Sequence, residues 1–539
     1  MDFYARCSRR VSFHFSHRHV LSVLQVLCLS ASASAPARLV VIGGGAAGYF
    51  GACRAASACG KGALSVTLLE AGARTLTKVS ISGGGRCNVC HDETKERADL
   101  SQGYPRGERA MLAALSRFGA PDAARWFRER GVALKTESDG RMFPQTDDSA
   151  SIVHALTDAA HDAGVDVLLR AKVIELNCLD NAGDDERFEV AYVMRSSTQG
   201  SPVTHRCRCR YVLVATGGSP EGLALLSRLK QPLVAPVPSL FTFRLATVNA
   251  AASSSTTASS KDTNDDATAA FDWQGLAGVS VTFARLRLEP VTENGGDGQD
   301  HRVSAANGVA KGSAKAVAKT KRKGKGNTAV RSEGPLLFTH RGISGPAVLR
   351  LSAFGARVLH ETGYRCEIMI DWVGLNEEQA LAECVRMKGA HAKRGVATGA
   401  PAAVALPRRL WARLVASAAI SAEATWADVS KVQLRALARA LCATRVLAAG
   451  KDMNKDEFVT AGGVDLKGVD PRRYESRLHD GLFFAGEVLD VDGVTGGYNF
   501  QNAWTSSWIA GSAIADDVAR RAAAAEASDV EPVGKFASG

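Results

Sequence analysis

The run Leu39-Val40-Val41-Ile42-Gly43-Gly44-Gly45-Ala46-Ala47-Gly48 constrains this chain more than any other stretch: an apolar strand enters a glycine turn with small residues behind it. Gly43 permits a tight turn, Gly45 lets backbone approach a pyrophosphate, and Gly48 lets helix and strand pack closely. The helix N-terminus then offers free N–H groups and the positive end of its dipole. Glycine turns after strands also arise from packing alone, so context has to decide. A second β-prone run, Leu64 to Leu69, ends in Glu70, about 20 residues past the last glycine, where an acceptor for ribose hydroxyls belongs. A carboxylate suits a free ribose better than a 2′-phosphate. The pattern therefore points to FAD or NAD and not to NADP.

A chain of 539 residues is too long for one simple core, so two or three domains are expected. The formal charge of +11 resembles a polyanion-binding signature until it is apportioned. Residues 1–37 carry Arg6, Arg9, Arg10 and Arg18 against Asp2, and residues 291–333 carry nine Lys or Arg against Glu293, Asp297, Asp300 and Glu333. Most of the excess thus lies in two segments, and the expected folded body is nearly neutral. The first segment is Arg- and Ser-rich, as in mitochondrial or other organellar leaders. Its apolar run Val20 to Leu29 followed by small residues also fits secretory cleavage, and a cytoplasmic chain is the remaining alternative. No later run reaches the roughly 18 apolar residues of a membrane span. The twelve cysteines show no regular spacing, which argues against a disulfide scaffold.

Along the chain, the triple glycine in Ser82-Gly83-Gly84-Gly85-Arg86-Cys87-Asn88 predicts a loop that brings backbone close to a ligand. Helices are expected over 122–130 and 151–163, a turn at Gly140 to Pro144, short strands at 165–169 and 173–176, and a hairpin from 187–194 and 204–210. Tyr211 to Gly218 repeats the opening device of a buried strand ending on small residues. Two stretches, 249–270 and 291–333, are too poor in apolar residues to offset their ordering entropy and are expected to be disordered. Residues 375–448 read as helix-rich. A strand ending in Ala485-Gly486-Glu487, followed by a helix from about Asn502 to Arg521, rebuilds the nucleotide-domain pattern at the far end. The expected division is a leader at 1–37, a first dinucleotide-binding part at 38–222, a β-barrel-like domain at 223–373, a helical domain at 374–452, a second dinucleotide-binding part at 453–521 and a disordered tail at 522–539. The fold class is α/β, a discontinuous Rossmann-like domain with two insertions.

Three glycine-rich strand ends, at Gly43 to Gly48, Ala215 to Gly218 and Ala485 to Glu487, suit a ligand longer than a mononucleotide, and FAD is such a ligand. One end cradles its pyrophosphate, a Gly-Glu strand end meets the ribityl hydroxyls, and a helix N-terminus near Gly496-Gly497-Tyr498-Asn499 offers N–H groups to the flavin.

Ile81 to Asn88, Gly140 to Pro144, Leu337-Phe338-Thr339-His340-Arg341-Gly342-Ile343-Ser344-Gly345-Pro346-Ala347, Val459 to Val464, and Phe484 to Gly493 with Thr495 to Asn499 together resemble the BaiN/RdsA family of bacterial flavoproteins. The resemblance spans about residues 38–515. It implies an FAD-binding domain interrupted by a barrel-like and a small helical domain, and an FAD-dependent oxidoreductase. Similar proteins have been linked to reduction of unsaturated substrates, amine oxidation and reduction of uridine in ribosomal RNA. Cradle and resemblance together assign FAD to Gly43, Gly45, Ala46, Ala47, Gly48, Glu70, Gly85, Arg86, Cys87, Asn88, Val173, Ala215, Thr216, Gly217, Gly486, Glu487, Asp490, Gly496, Gly497, Tyr498 and Asn499. Where the family has a second Gly-rich turn with a Gly-His pair, this chain has Ser219 to Ala224; it also has Cys90 for a threonine and Asn502 for a tryptophan.

Cys90 completes Cys87-Asn88-Val89-Cys90-His91, which matches a haem-attachment pattern and contains the C-x-x-C of a redox dithiol. Only Cys87 belongs to the family pattern, which disfavours both. Candidate catalytic groups are Cys87 as proton donor or nucleophile, His340 as proton donor beside Arg341, and Tyr498 at the flavin face. Against them stand a packed cysteine, a histidine on a carbonyl with Arg341 pairing an acid such as Glu487, and a core aromatic. Glu487 and Asp490 fit hydrogen bonds to ribityl hydroxyls or loop amides. No metal site is expected, and the basic run at 311–325 fits either an RNA-steering arm or a solvated loop.

The reading is an FAD-dependent oxidoreductase moving hydride through flavin N5, with NADH or NADPH as mobile donor because no second nucleotide cradle is visible. Its expected substrate is uridine in organellar ribosomal RNA. A small-amine oxidase and a non-catalytic, flavin-bound RNA-binding or assembly factor are the alternatives.

Overall fold

The structure, a computed structural model, describes residues 36–60, 62–179, 185–194, 203–247, 271–290, 330–452 and 459–528. The expected leader up to residue 35, the segment 249–270, the basic run at 311–325 and the tail beyond 528 lie outside the described residues.

The chain opens with β1 (Ala37–Ile42), whose last four residues are buried, as a central parallel strand requires. It begins one residue inside the expected leader. Helix α1 (Ala46–Ala58) follows the glycine turn, then β2 (Leu64–Leu69) and α2 (Thr77–Gly85). The expected loop at Ser82 to Gly85 is the broken end of α2: Ser82 is extended, and Gly83 and Gly84 have φ of 59° and 70°. Gly140 to Pro144, expected as a turn, contains a strand, Arg141–Pro144, between Cys90–His91 and Leu134–Thr136. Gly140, at φ 87°, makes the bend before it, and its carbonyl accepts from Asp92 N–H at 2.7 Å. Strand β3 (Asp166–Leu168) and, after an antiparallel sheet of Ala171–Cys178, Phe188–Met194 and Val203–Cys209, strand β4 (Tyr211–Val214) complete this half.

A closed six-stranded barrel is inserted next. It comprises β5 (Thr242–Leu245), β6 (Ser280–Pro290), β7 (Arg331–Phe338), β8 (Gly342–Ser344), β9 (Cys366–Asp371) and β10 (Thr444–Asp452), with helix α3 (Pro346–Glu361) packed on it. Two expectations are corrected here. Arg331 to Glu333 belong to β7 and not to a disordered loop, since Ser332 is buried between outward polar neighbours in a strand's alternation. Thr444 to Asp452 form a barrel strand and not the end of a helical domain, with Thr444, Val446 and Ala448 turned inward. The helices Glu377–Ala390, Arg408–Ser417 and Lys431–Ala443 sit between β9 and β10. Leu233–Ser239, expected in the barrel-like domain, instead pairs with Val459–Val464 in a separate two-stranded sheet.

The chain then returns through β11 (Leu482–Phe484) to α4 (Tyr498–Ser528). Helix α4 runs past the expected end at Arg521; its alanine-rich continuation has high helix propensity. The main sheet has β11, β4, β1, β2 and β3 side by side and parallel, with the short strands Val469–Asp470 and Glu475–Ser476 beyond β11. The expected architecture is therefore present: a Rossmann-like sheet built from both ends of the chain, interrupted by a barrel and helices. Among the described residues, no helix is long and apolar enough to cross a membrane.

Candidate functional site

The sheet order places the C-terminal ends of β1, β4 and β11 next to one another, the edge where parallel α/β sheets bind ligands. The three glycine-rich strand ends, more than 400 residues apart at the extremes, thus form one rim. Gly43 has φ 111°, and a Cβ there would lie 2.5 Å from the Ala215 carbonyl oxygen. A Cβ on Gly48 would lie 1.9 Å from the Gly43 oxygen, so helix and turn close only with glycine. At Gly45 a Cβ would meet nothing within 4 Å. Gly45 precedes α1 without any side-chain cap, so the first-turn N–H groups of the helix have no capping acceptor from it. Packing accounts for Gly43 and Gly48 but not for Gly45. An open glycine at an uncapped helix N-terminus fits a phosphate.

Glu70 braces this turn, its two carboxylate oxygens accepting from Gly44 N–H at 2.8 Å and Gly72 N–H at 2.6 Å. Each oxygen keeps a second lone pair for a hydroxyl. Val173 lies buried in the strand Ala171–Cys178, whose first residue bonds the Glu70 carbonyl through Ala171 N–H at 2.8 Å. At the middle strand end, Ala215 N–H bonds Ile42 O at 2.9 Å, and the Thr216 hydroxyl oxygen is buried without a partner among the described residues. Gly217, at φ 61°, faces Glu487. Gly486 abuts the start of α1, where a Cβ would come 2.8 Å from that of Ala47, and its N–H is held by Ser506 Oγ at 2.8 Å. Glu487 binds Lys78 at 2.9 Å and accepts from Thr460 N–H at 3.0 Å. Asp490 accepts from Gly462 N–H and Arg357, each at 3.0 Å. Both acids therefore hold loop amides and cations of the chain itself.

The loop after α2 is fastened to the start of α4. Asn88, with its amide oriented to satisfy its neighbours, donates to Cys90 O at 3.0 Å and accepts from Gly497 N–H at 2.9 Å. Gly497 approaches Cys90 so closely that a Cβ would fall 2.4 Å from its carbonyl. Asn499 closes a turn on Gly493 through bonds of 2.8 and 3.0 Å. Gly85, at φ 85°, accepts Ser149 N–H on its carbonyl at 2.9 Å, while Arg86 lies over the Phe143 ring and pairs with Glu137 at 2.7 Å. Tyr498 stacks on His91 at 4.8 Å and meets Tyr104 edge-on at 5.6 Å. Its ring also lines a cavity of about 680 Å³ between this region and the barrel. Burial raises the phenol's pKa, so it stays protonated at neutral pH.

The other candidate catalytic residues fare differently. Cys87 is fully buried at φ 62°, and burial pushes its thiol up to about 12, which leaves no thiolate for nucleophilic work. Cys90 is equally buried, its thiol also raised by burial, with Sγ 3.5 Å from the Met142 sulfur. His340 is exposed in the turn between β7 and β8, whereas the opposite end of β7 lines the cavity that Tyr498 faces. Arg341 pairs with Asp452 at 3.4 Å and not with Glu487.

His91, noted in the sequence only as the end of a haem-like pattern, has both ring nitrogens engaged. Nδ1 lies 3.0 Å from the Gly496 carbonyl and Nε2 3.0 Å from Lys95 Nζ. A carbonyl only accepts and an ammonium only donates, so the ring is neutral with its proton on Nδ1. Lys95 thus occupies the ring nitrogen that a haem iron would need, and His91 supports the Gly496–Gly497 turn. Arg106 carries no mark in the sequence either. It forms a buried pair with Asp492 and bonds Ser239 Oγ at 3.1 Å and Ala353 O, tying both dinucleotide-binding parts to the barrel. No local signal singles out either residue, because Gly496 and Asp492, which give them their roles, lie 405 and 386 residues away.

The sequence pattern described as the HI0933-like protein Rossmann domain matches residues 37–513. The chain belongs to this family. HI0933-like proteins are Rossmann-fold FAD-dependent oxidoreductases, and the open, glycine-lined rim described above fits that cofactor. Two curated relatives are named ribosomal RNA dihydrouridine synthase. The one from Escherichia coli (strain K12) is 30% identical over 87% of this chain and 96% of its own length, and the one from Haemophilus influenzae is 28% identical over the same shares. A third, from Clostridium scindens, is named 3-dehydro-bile acid delta(4,6)-reductase and is 26% identical over 89% of this chain and 99% of its own length.

Proposed function

We propose that this HI0933-like protein reduces uridine in ribosomal RNA, drawing electrons from NADH or NADPH. The carrying observation is the similarity, along almost their whole length, to two proteins named for that reaction. The third relative, too, is named for reduction of an unsaturated substrate. That common direction favours reduction over amine oxidation and over a non-catalytic flavin-bound factor.

When bound, FAD supplies two-electron hydride transfer through its N5. In this proposal the α1 N-terminus and Gly45 hold its pyrophosphate, Glu70 its adenosine ribose, the Gly486–Glu487 end its ribityl chain, and the N-terminus of α4 beyond the Gly496–Gly497 turn its ring. Gly217 and the orphaned Thr216 hydroxyl complete the middle of the rim. Asn88 and His91 keep the Gly496–Gly497 turn in register from behind. Tyr498 is the proton donor: it is protonated, lines the cavity, and its hydroxyl has no partner among the described residues. Cys87 and His340 are left out of the chemistry. An organellar setting, drawn from the composition of residues 1–37, belongs to the proposal.

The test is to map dihydrouridine in organellar ribosomal RNA with and without the protein, and to repeat the reaction with purified protein, NADPH and an rRNA transcript. Dihydrouridine should appear only with active protein, and Tyr498→Phe should lower kcat about 100-fold while flavin content stays constant. Identical maps with and without the protein would refute the assignment.

A further inference from the structure

The cavity beside Tyr498 has one charged wall with no part in holding the flavin. Its barrel side carries Arg287 on β6, Arg331 on β7 and Arg350 on α3. Arg287 and Arg331 are paired directly across the two strands. Like charges so placed repel, roughly 5 Å apart between Cα atoms, and destabilise a sheet unless something negative lies between them. Arg287 forms a hydrogen-bonded ion pair with Glu289, which leaves its Nε buried with no partner among the described residues. Arg331 and Arg350 have exposed side chains, and among the described residues neither makes an ion pair. Arg285, Glu333 and Asp371 also line the cavity, and the two carboxylates neutralise Arg285 at 3.2 and 3.9 Å, so the unpaired positive charge of this wall is that of Arg331 and Arg350. The facing wall contributes one carboxylate, Asp99, that is unpaired among the described residues.

We propose that Arg287, Arg331 and Arg350 bind a phosphate group of the nucleotide ligand that enters this cavity, either the phosphodiester of an RNA strand or the pyrophosphate of a nicotinamide dinucleotide. The site rests on the proposed function for the identity of the ligand but on its own geometry for the anion. Guanidinium groups bind phosphate oxygens in a bidentate fork, and an anion on this wall would offset the charge of Arg331 and Arg350, which has no carboxylate partner among the described residues. The cavity is large enough for a nucleotide, and Tyr498 is part of its lining. Asp99 opposes the anion from across the cavity and limits its affinity.

The experiment uses the full chain loaded with FAD and two probes, a labelled uridine-containing single-stranded RNA followed by fluorescence anisotropy and NADPH followed by its KM for flavin reduction. Arg331→Ala and Arg350→Ala should each weaken the bound probe about tenfold. For RNA, the slope of log affinity against log salt should shrink by about 0.7 for each phosphate that the variant no longer neutralises. Asp99→Asn should tighten the same probe, and Arg435→Ala, an exposed arginine of the Lys431–Ala443 helix, should change nothing. Arg331→Ala should not lower the melting temperature, because it relieves the facing charge on Arg287. Weakening for RNA alone assigns the phosphate to the polynucleotide, and weakening for NADPH alone assigns it to the donor; either supports the site. Arginine variants within twofold of wild type for both probes, or a wild-type protein that binds neither, overturn it. Arginine-dependent RNA binding without uridine reduction would instead count against the proposed function and leave the site standing.

Discussion

Gly45→Ala separates a phosphate cradle from a merely tight turn. Gly45 has φ −88° and ψ −171°, a conformation alanine adopts freely, and its added Cβ would meet no atom within 4 Å. In the cofactor-free protein the substitution gains about 0.4–1 kcal/mol from a less flexible unfolded chain. It loses a similar amount because alanine is a poorer N-cap than glycine. The net change should stay within about 1 kcal/mol of zero. With FAD the same methyl group occupies the space through which a phosphate must reach the α1 N–H groups, and affinity should fall at least about tenfold, or about 1.4 kcal/mol. Gly48→Ala is the counterpart, because its Cβ would sit 1.9 Å from the Gly43 carbonyl oxygen and backbone must move. It should cost more than about 2 kcal/mol even without cofactor. The assay is chemical denaturation of FAD-stripped protein together with flavin absorbance per chain after reconstitution. Gly45→Ala protein that retains FAD as wild type does, or that is destabilised as much as Gly48→Ala without cofactor, would refute the reasoning.

Three other outcomes follow from the same geometry. Burial, and next the charge of Lys95, hold the His91 imidazole below its ordinary 6.5. The unfolded chain thus binds that proton more readily, so the stability carried by neutral His91 is present above pH 6.5 and is lost as pH falls below it; in His91→Gln the fall in melting temperature towards about pH 5 should be shallower. Arg106→Leu strands the buried Asp492 carboxylate and should cost about 3–5 kcal/mol in urea denaturation, much of which Arg106→Leu with Asp492→Leu should recover. Folded protein at pH 8 should leave Cys87 unalkylated by iodoacetamide, as read by peptide mass spectrometry, and Cys87 should react only after unfolding.

The cradle was legible because its signals are local: an apolar run, a glycine that must take a positive φ, and an acid one strand later. The recurrence of the device at Ala215 and Ala485 was legible for the same reason, and sheet order then joined the three ends. What the sequence hid is pairing across long separations. β10 was hidden in a helix-rich reading because Thr444 to Asp452 follows a helix directly and is rich in small residues, and its barrel neighbours make it a strand. His91 and Arg106 act on Gly496 and Asp492 from the far end of the chain. Cys87 misled in the opposite direction: its motif suggested reactivity, whereas burial suppresses it. The arginine wall was invisible because Arg287 and Arg331 meet only through strand register.

The central claim is that this rim holds a flavin that the protein uses to move electrons. Its most direct test is anaerobic titration of the purified protein with NADH and NADPH while the visible spectrum is recorded. A yellow protein whose flavin bands bleach on addition of one donor, and return on addition of uridine-containing ribosomal RNA, is the predicted result. A colourless protein that takes up no FAD, or a bound flavin that neither donor bleaches, would contradict it.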